Sequence, residues 1–295
     1  MKLEPETASD KNKELWKTLK DTLMGLGVKR GDILYIASDI TSFMFILSTE
    51  YGIRGRQNIN MVLNCFVDVF QEVIGEEGTI LFPVFSWDWC RDGRFDILHT
   101  KGEVGSLSNW VLENRKDFVR TEHPIYSFMV WGKDSDYLLK LNNQDAWSHT
   151  SPFYYMQTNH AKQLFFNIEA HQGMTFVHYI EQECDVWYRH PKYFFGEYTT
   201  ADGVKETRMY SMYVRDVDVE QECTIQNQFL MDKGVAHQAC WLDNVLTVVK
   251  LDESYDIIRR DIEENKGKNT LKFKDGDIDW FKERTIPYEI KGIKL

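Results

Sequence analysis

The sequence predicts an α/β fold: a central, mostly parallel sheet flanked by helices, with an additional antiparallel sheet in the C-terminal half. Two short apolar runs, 33–38 and 79–83, read as strands buried on both faces, and a 3.6-periodic stripe over 58–74 lies between them. Strand, helix and strand in that order form a βαβ unit, whose crossover makes the strands parallel. After Cys184 the pattern changes to alternating, β-branched and aromatic segments, which suit antiparallel pairing.

The elements follow in order. Residues 12–26 carry Leu15, Trp16, Leu19, Leu23 and Leu26, an amphipathic helix with Ser9 or Asp10 as its cap and Gly27 as its end. The strand over 33–38 follows, with Ser38, Asp39 and Thr41 at its carboxyl end, where ligands gather in open α/β sheets. The helix over 58–74 carries Met61, Val62, Cys65, Phe66, Val69, Phe70 and Val73 on one stripe, and the strand over 79–83 comes after a Gly-Glu-Glu-Gly turn. A polar loop over 87–101 leads to a helix over 105–114. His123 is pushed out of the helical region by Pro124, so residues 120–127 form a fixed turn before a strand over 128–132.

Ser151 and Pro152 mark a helix start, N-cap and first helical position, whose unpaired N–H groups suit an anion. A strand over 163–168 precedes the helical segment 175–181, Thr-Phe-Val-His-Tyr-Ile-Glu. Segments 193–199, 206–214 and 237–249 read as strands of the antiparallel sheet, with a turn at 201–203 and a helix over 219–231. With no Gly- or Ser-rich stretch between 183 and 193, residues 1–295 read as one domain, in which 193–250 is a sub-lobe. The tail from Asp252 has an amphipathic piece with Tyr255, Ile257, Ile258 and Ile262, then a lysine-rich solvated end.

Composition narrows the function. A hydrophobic content of 43% supports a real core, and the aromatic surplus suits a pocket or a subunit interface, of which a homo-oligomer is one form. A formal charge of −11 with no long basic block argues against nucleic acid as a partner. The five cysteines, Cys65, Cys90, Cys184, Cys223 and Cys240, include no C-x-x-C pair and read as reduced thiols. The charged start lacks an apolar h-region and no run reaches the roughly 18 residues that span a bilayer, so a cytoplasmic protein with no membrane span is expected.

His178 and Glu181 stand three apart in a helical pattern, a spacing that puts both on one face. Spacing alone leaves an ordinary packed histidine as the simpler account. His171 lies seven residues before His178, which does not make the two-histidine zinc protease signature, and no metal ligand set is assigned. No serine sits in a G-x-S-x-G elbow, and the phosphate-binding and dinucleotide-binding glycine motifs are absent.

From about Leu19 to Asp252 an ordered series of short matches recurs: Leu26-Gly27-Val28 with Gly31-Asp32, Gly78-Thr79 with Phe82-Pro83, Phe95-Asp96, Gly105, Arg120-Thr121-Glu122-His123-Pro124 with Ser127 and Gly132, Ser151-Pro152, and Thr175, His178 and Glu181. In order and spacing these resemble the aminoglycoside 3-N-acetyltransferase family, which is unrelated in fold to the common GNAT acetyltransferases. The resemblance implies an N-acyltransferase that uses acetyl-CoA, or another short acyl-CoA, as co-substrate and acylates the amine of an amino sugar by direct attack. It further implies His178 as general base with Glu181 beside it, co-substrate contacts from Ser38, Asp39, Thr150, Ser151 and Thr175, and acceptor contacts from Arg120, His123 and Ser127. Glu206 or Asp216 is a candidate to share the role of Glu181.

The chain departs from the family pattern at three places. Ala37-Ser38-Asp39 stands where members carry His-Ser-Ser, the stretch 43–57 has no counterpart, and 165–168 lacks the glycine that closes that strand. The first departure favours a nucleotide-linked amino-deoxy sugar of surface polysaccharide synthesis as acceptor, with Arg54, Arg56 and Arg120 as candidates for its diphosphate. An aminoglycoside is the alternative, which the acidic charge favours. A metal-dependent hydrolase and a non-catalytic sugar-binding protein are the readings from other classes.

Overall fold

The computed structural model describes residues 5–217 and 219–273, with side chains from residue 13 onward. The chain runs through α1 (Pro5–Gly25), β1 (Ile33–Ser38), α2 (Thr41–Glu50), α3 (Arg56–Ile74), β2 (Thr79–Phe85), α4 (Asp88–Arg91), β3 (Arg94–Asp96), α5 (Ser106–Asn114), β4 (Val119–Arg120), β5 (Tyr126–Gly132) and α6 (Ser135–Leu139). It continues through α7 (Pro152–Thr158), β6 (Lys162–Phe166), α8 (Ala170–Gly173), α9 (Phe176–Glu183), β7 (Arg189–Thr199), β8 (Lys205–Arg215), β9 (Gln221–Cys223), α10 (Asn227–Asp232), β10 (Ala236–Trp241), β11 (Asn244–Lys250), α11 (Leu251–Asn265) and β12 (Leu271–Phe273).

A seven-stranded sheet in the order β10-β11-β6-β1-β2-β5-β4 forms the centre. Strand β1 pairs in parallel with both β2 and β6, while β5 and β11 run against their neighbours. Because β10 and β4 reverse again, β10, β6, β1, β2 and β4 all point one way. Alternation along β1 sends Ile33, Tyr35 and Ala37 to one core cluster and Leu34 and Ile36 to the other. Helices α1, α2, α3 and α5 fill the second side, through Leu19, Leu23, Phe43, Phe66, Phe70 and Leu107. The first side takes α7, α9, α11 and the aromatic residues of a small sheet, Tyr198, Tyr210 and Tyr213. Fully burying such a Leu, Ile or Phe contributes about 1.5–3 kcal/mol each, so a sheet covered on both faces is the stable arrangement for these sequences.

Several elements differ from the sequence expectation. Strands β10 and β11 extend the central sheet instead of joining the antiparallel one, because Leu246 and Val248 face its second core. The small sheet is the hairpin β7–β8 with β3 in parallel beside β7. The single helix expected over 219–231 is divided into β9, which pairs with β12, and the shorter α10. Helix α1 begins at Pro5, so the expected caps Ser9 and Asp10 lie inside it. The stretch 43–57 holds most of α2 and the start of α3. The lysine-rich end expected after the amphipathic tail helix lies mostly outside the described residues, whereas the helix is α11, with Tyr255, Ile258 and Ile262 buried.

Candidate active site

The three parallel strands end on the same side of the sheet, and a pocket of about 350 Å³ opens there, lined by Ala37, Ser38 and Asp39 from the end of β1, Phe85 from β2, and Gly173 and Thr175 after β6. Asp39 is exposed and accepts a hydrogen bond from the Thr41 N–H at 2.9 Å. The Ser38 hydroxyl is buried without a hydrogen-bond partner.

The departures from the expected pattern are explained here. Asn167 stands at the end of β6 with φ of 60°, a conformation that Asn tolerates better than most residues after Gly, so the strand closes without one. Its side chain donates to Ser42 Oγ at 3.0 Å. A Cβ built on Gly173 would lie 2.4 Å from Ile168 Cδ1 and 3.2 Å from Ala37 Cβ, so the 173 turn presses on β1, and a larger residue at 37 would drive into it. The turn is pinned by the capping box of Glu169 and Gln172 and by the Gln163 amide, which donates to Gly173 O at 3.0 Å.

That pinned turn delivers α9, whose Thr175, His178 and Glu181 share one face at successive turns. His178 Nδ1 lies 2.6 Å from Glu181 Oε2. Glu181 is fully buried; its Oε1 accepts from the Tyr188 hydroxyl at 2.8 Å, and Arg189 Nε lies 2.8 Å from Oε2 as a charge contact. Burial alone would raise the Glu181 pKa, yet Arg189, His178 and Tyr188 together hold it below the usual carboxylate value. An ionised carboxylate only accepts, so Nδ1 carries the proton and Nε2 the lone pair. Burial, reinforced by Arg189, holds the imidazole pKa below its ordinary value despite Glu181. The His178 side chain nevertheless keeps 28% of its surface exposed, and the edge of Trp147 packs on its ring at 5.9 Å.

His178 and Glu181 do not themselves line the pocket, which reaches this segment only at Thr175, and the other nominated residues fall into two further places. Ser151 caps α7, accepting from Tyr154 N at 3.3 Å, and Thr150 is an exposed neighbour; neither lines the pocket at Ser38. Arg120, His123 and Ser127 are interior. Arg120 donates to Ser127 Oγ at 3.0 Å, to Thr100 O at 2.6 Å, and to Ile97 O and Val84 O at 3.2 Å, with its guanidinium 4.7 Å from the Phe95 ring centroid. Ser127 donates to Val84 O at 2.9 Å, and His123 Nδ1 accepts from Tyr126 N at 3.1 Å. Burial drives the His123 pKa down to about 3 and that of Arg120 to about 10. These three hold the loop after β3, the end of β2 and the turn before β5 together.

Asp216 pairs with His190 at 2.5 Å and Glu206 with Arg208 at 2.7 Å, so both carboxylates are engaged away from Glu181. The groups that do surround Glu181, Tyr188 and Arg189, lie seven and eight residues beyond it with no local spacing signal. Arg54 and Arg56 are exposed at the start of α3 and do not line the pocket.

A family model described as aminoglycoside 3-N-acetyltransferase matches residues 54–263. No curated protein matches the chain significantly in sequence. Among solved structures the fold is similar to that of AAC-VIa bound to sisomicin, with a TM-score of 0.67 at 14% identity, covering 85% of this chain and 97% of that one. It is also similar to AAC-IIIb with CoASH (TM-score 0.63, 14% identity, 83% and 96% covered). The YokD protein from Bacillus subtilis aligns with a TM-score of 0.62 at 17% identity, covering 83% of this chain and 98% of that one.

Proposed function

This chain belongs to the aminoglycoside 3-N-acetyltransferase family, whose reaction is acetyl transfer from acetyl-CoA to an amine, and we propose that its acceptor is a cationic amino sugar deprotonated by His178. The observation that carries the proposal is the pair on α9: Nδ1 is committed to a buried carboxylate, and Nε2 is left on a side chain that is 28% exposed.

The pocket at the sheet end fits the co-substrate. Its walls combine apolar Tyr35, Pro83, Phe85 and Val104 with polar Ser108, Asn167 and Gln172, and the buried hydroxyl of Ser38 there makes no hydrogen bond within the protein. When bound there, acetyl-CoA supplies an acetyl thioester whose C–S bond breaks as the amine forms its C–N bond, releasing the thiol. His178 Nε2 takes the proton that the ammonium or the attacking amine loses and returns it to the departing sulfur, a role for which a neutral imidazole is the competent form. Glu181 keeps the ring oriented and offsets the charge of the imidazolium while the proton is held. The Ser38 hydroxyl is available to the oxygen on which negative charge develops.

The charges around the site favour a cationic acceptor over a nucleotide-linked sugar. A diphosphate needs the guanidinium groups nominated for it, yet Arg120 is committed to the interior and Arg54 and Arg56 lie off the pocket, while the one charged side chain lining the pocket is that of Asp39. The metal-dependent hydrolase reading lacks a ligand set, since among the described residues no group of three His, Cys, Asp or Glu side chains converges.

The test is release of free thiol from acetyl-CoA across a panel of aminoglycosides, simple amino sugars and nucleotide-linked amino sugars. Turnover of the polycationic acceptors is expected. Turnover confined to the nucleotide-linked sugars would overturn the acceptor assignment, and no thiol release with any amine would overturn the activity.

A further inference from the structure

We propose that Arg189 is a positioning residue for the reaction, clamping Glu181 at the same carboxylate oxygen that holds His178 so that the imidazole meets its substrate with Nε2 unprotonated. The inference rests on the reading of His178 as the base. Arg189 opens β7, and its side chain is 9% exposed. Nη1 donates to Tyr213 O of β8 at 3.2 Å and Nη2 to the Gln221 side chain of β9 at 3.1 Å, so the guanidinium is fixed by its partner strand and by a strand of a separate sheet. From that position Nε reaches Glu181 Oε2 at 2.8 Å, and Nη2 lies 3.2 Å from His178 Nδ1.

Two consequences follow from this geometry. A fully buried carboxylate with no other counter-charge draws a proton onto the pair, and the more basic imidazole of His178 would take it, leaving an imidazolium where the base should be. Arg189 is the cation that supplies that counter-charge. A guanidinium beside Nδ1 also opposes a second proton on the ring, because like charges in a site poor in water repel strongly. The groups facing His178 divide accordingly: Glu181 of α9 favours the imidazolium, while Arg189 of β7, Arg215 of β8 and burial oppose it. Tyr188 acts on the pair from the side of Glu181, to which it donates, and Tyr126 lies within the electrostatic reach of both Arg189 and Glu181.

The experiment is a pH titration of the His178 ring by NMR, with the pH profile of kcat/KM measured in parallel, for the wild type, Arg189→Met and Arg189→Lys. In the Met variant the midpoint of the ring moves to higher pH and the acid limb of kcat/KM moves with it, because Glu181 now acts on the imidazole unopposed. The Lys variant keeps the cation and so keeps the wild-type midpoint, at a rate lower by about 10-fold to 100-fold from loss of the fork geometry. If Arg189→Met does not fold, Arg189→Gln, which removes the charge and retains a donor, gives the same reading. Midpoints that coincide with the wild type, or fall, in the Met and Gln variants overturn the proposal. A raised midpoint in a protein that acetylates no amine sustains the clamp and removes the functional reading beneath it.

Discussion

Two buried polar clusters beside the β7–β8 hairpin look alike in sequence and differ in what they leave unspent. The group of Arg120, His123 and Ser127 directs its cation onto three backbone carbonyls and a hydroxyl, and burial keeps His123 neutral. The group of His178, Glu181, Tyr188 and Arg189 directs its donors onto a carboxylate and leaves one imidazole nitrogen on a partly exposed side chain. A motif residue whose donors are spent on interior carbonyls holds elements together. One with an atom aimed outward and its other atoms fixed from behind is equipped for chemistry.

The comparison is broken most sharply by removing one member from each side. His178→Ala is expected to lower kcat for acetyl transfer by about 10²–10⁴ with the melting temperature and acetyl-CoA affinity held, read by thiol release, thermal melting and titration calorimetry. Arg120→Met has the opposite signature: about 3–5 kcal/mol of unfolding free energy is lost in denaturant titration, because Ile97 O and Thr100 O lose the Arg120 donor and Val84 O keeps only that of Ser127, while kcat per folded molecule stays unchanged. Ser127→Ala is the smaller version, at about 1 kcal/mol. An Arg120 variant that folds stably and loses kcat would return that cluster to the site.

Much of this was legible in the chain, and the reasons are local. The strand β1, the helix α3 and the pair on α9 rest on periodicity within one element, so their residues announce themselves at fixed spacings. The parallel arrangement followed from the βαβ order. What was not legible depends on contacts between distant segments. Strands β10 and β11 alternate as any antiparallel pair would, and only their apolar face of Trp241, Leu246 and Val248, packed with Phe166, sends them to the central sheet. Arg189 looks like a strand residue until Gln221 and Tyr213 O place its guanidinium behind Glu181. Arg120, His123 and Ser127 were visible as a motif, but a motif does not say whether its donors face a ligand or a carbonyl. The missing His-Ser-Ser run was likewise readable as a change, whereas the close approach of Gly173 to Ala37 appears only with the turn that packs there.

The central claim is that His178 Nε2 carries the proton of the acceptor amine, and chemical rescue of His178→Ala with free imidazole tests it most directly. The predicted result is a rate of thiol release that starts about 10²–10⁴ below wild type and climbs with the concentration of neutral imidazole. A variant that retains the wild-type rate without imidazole would contradict the account.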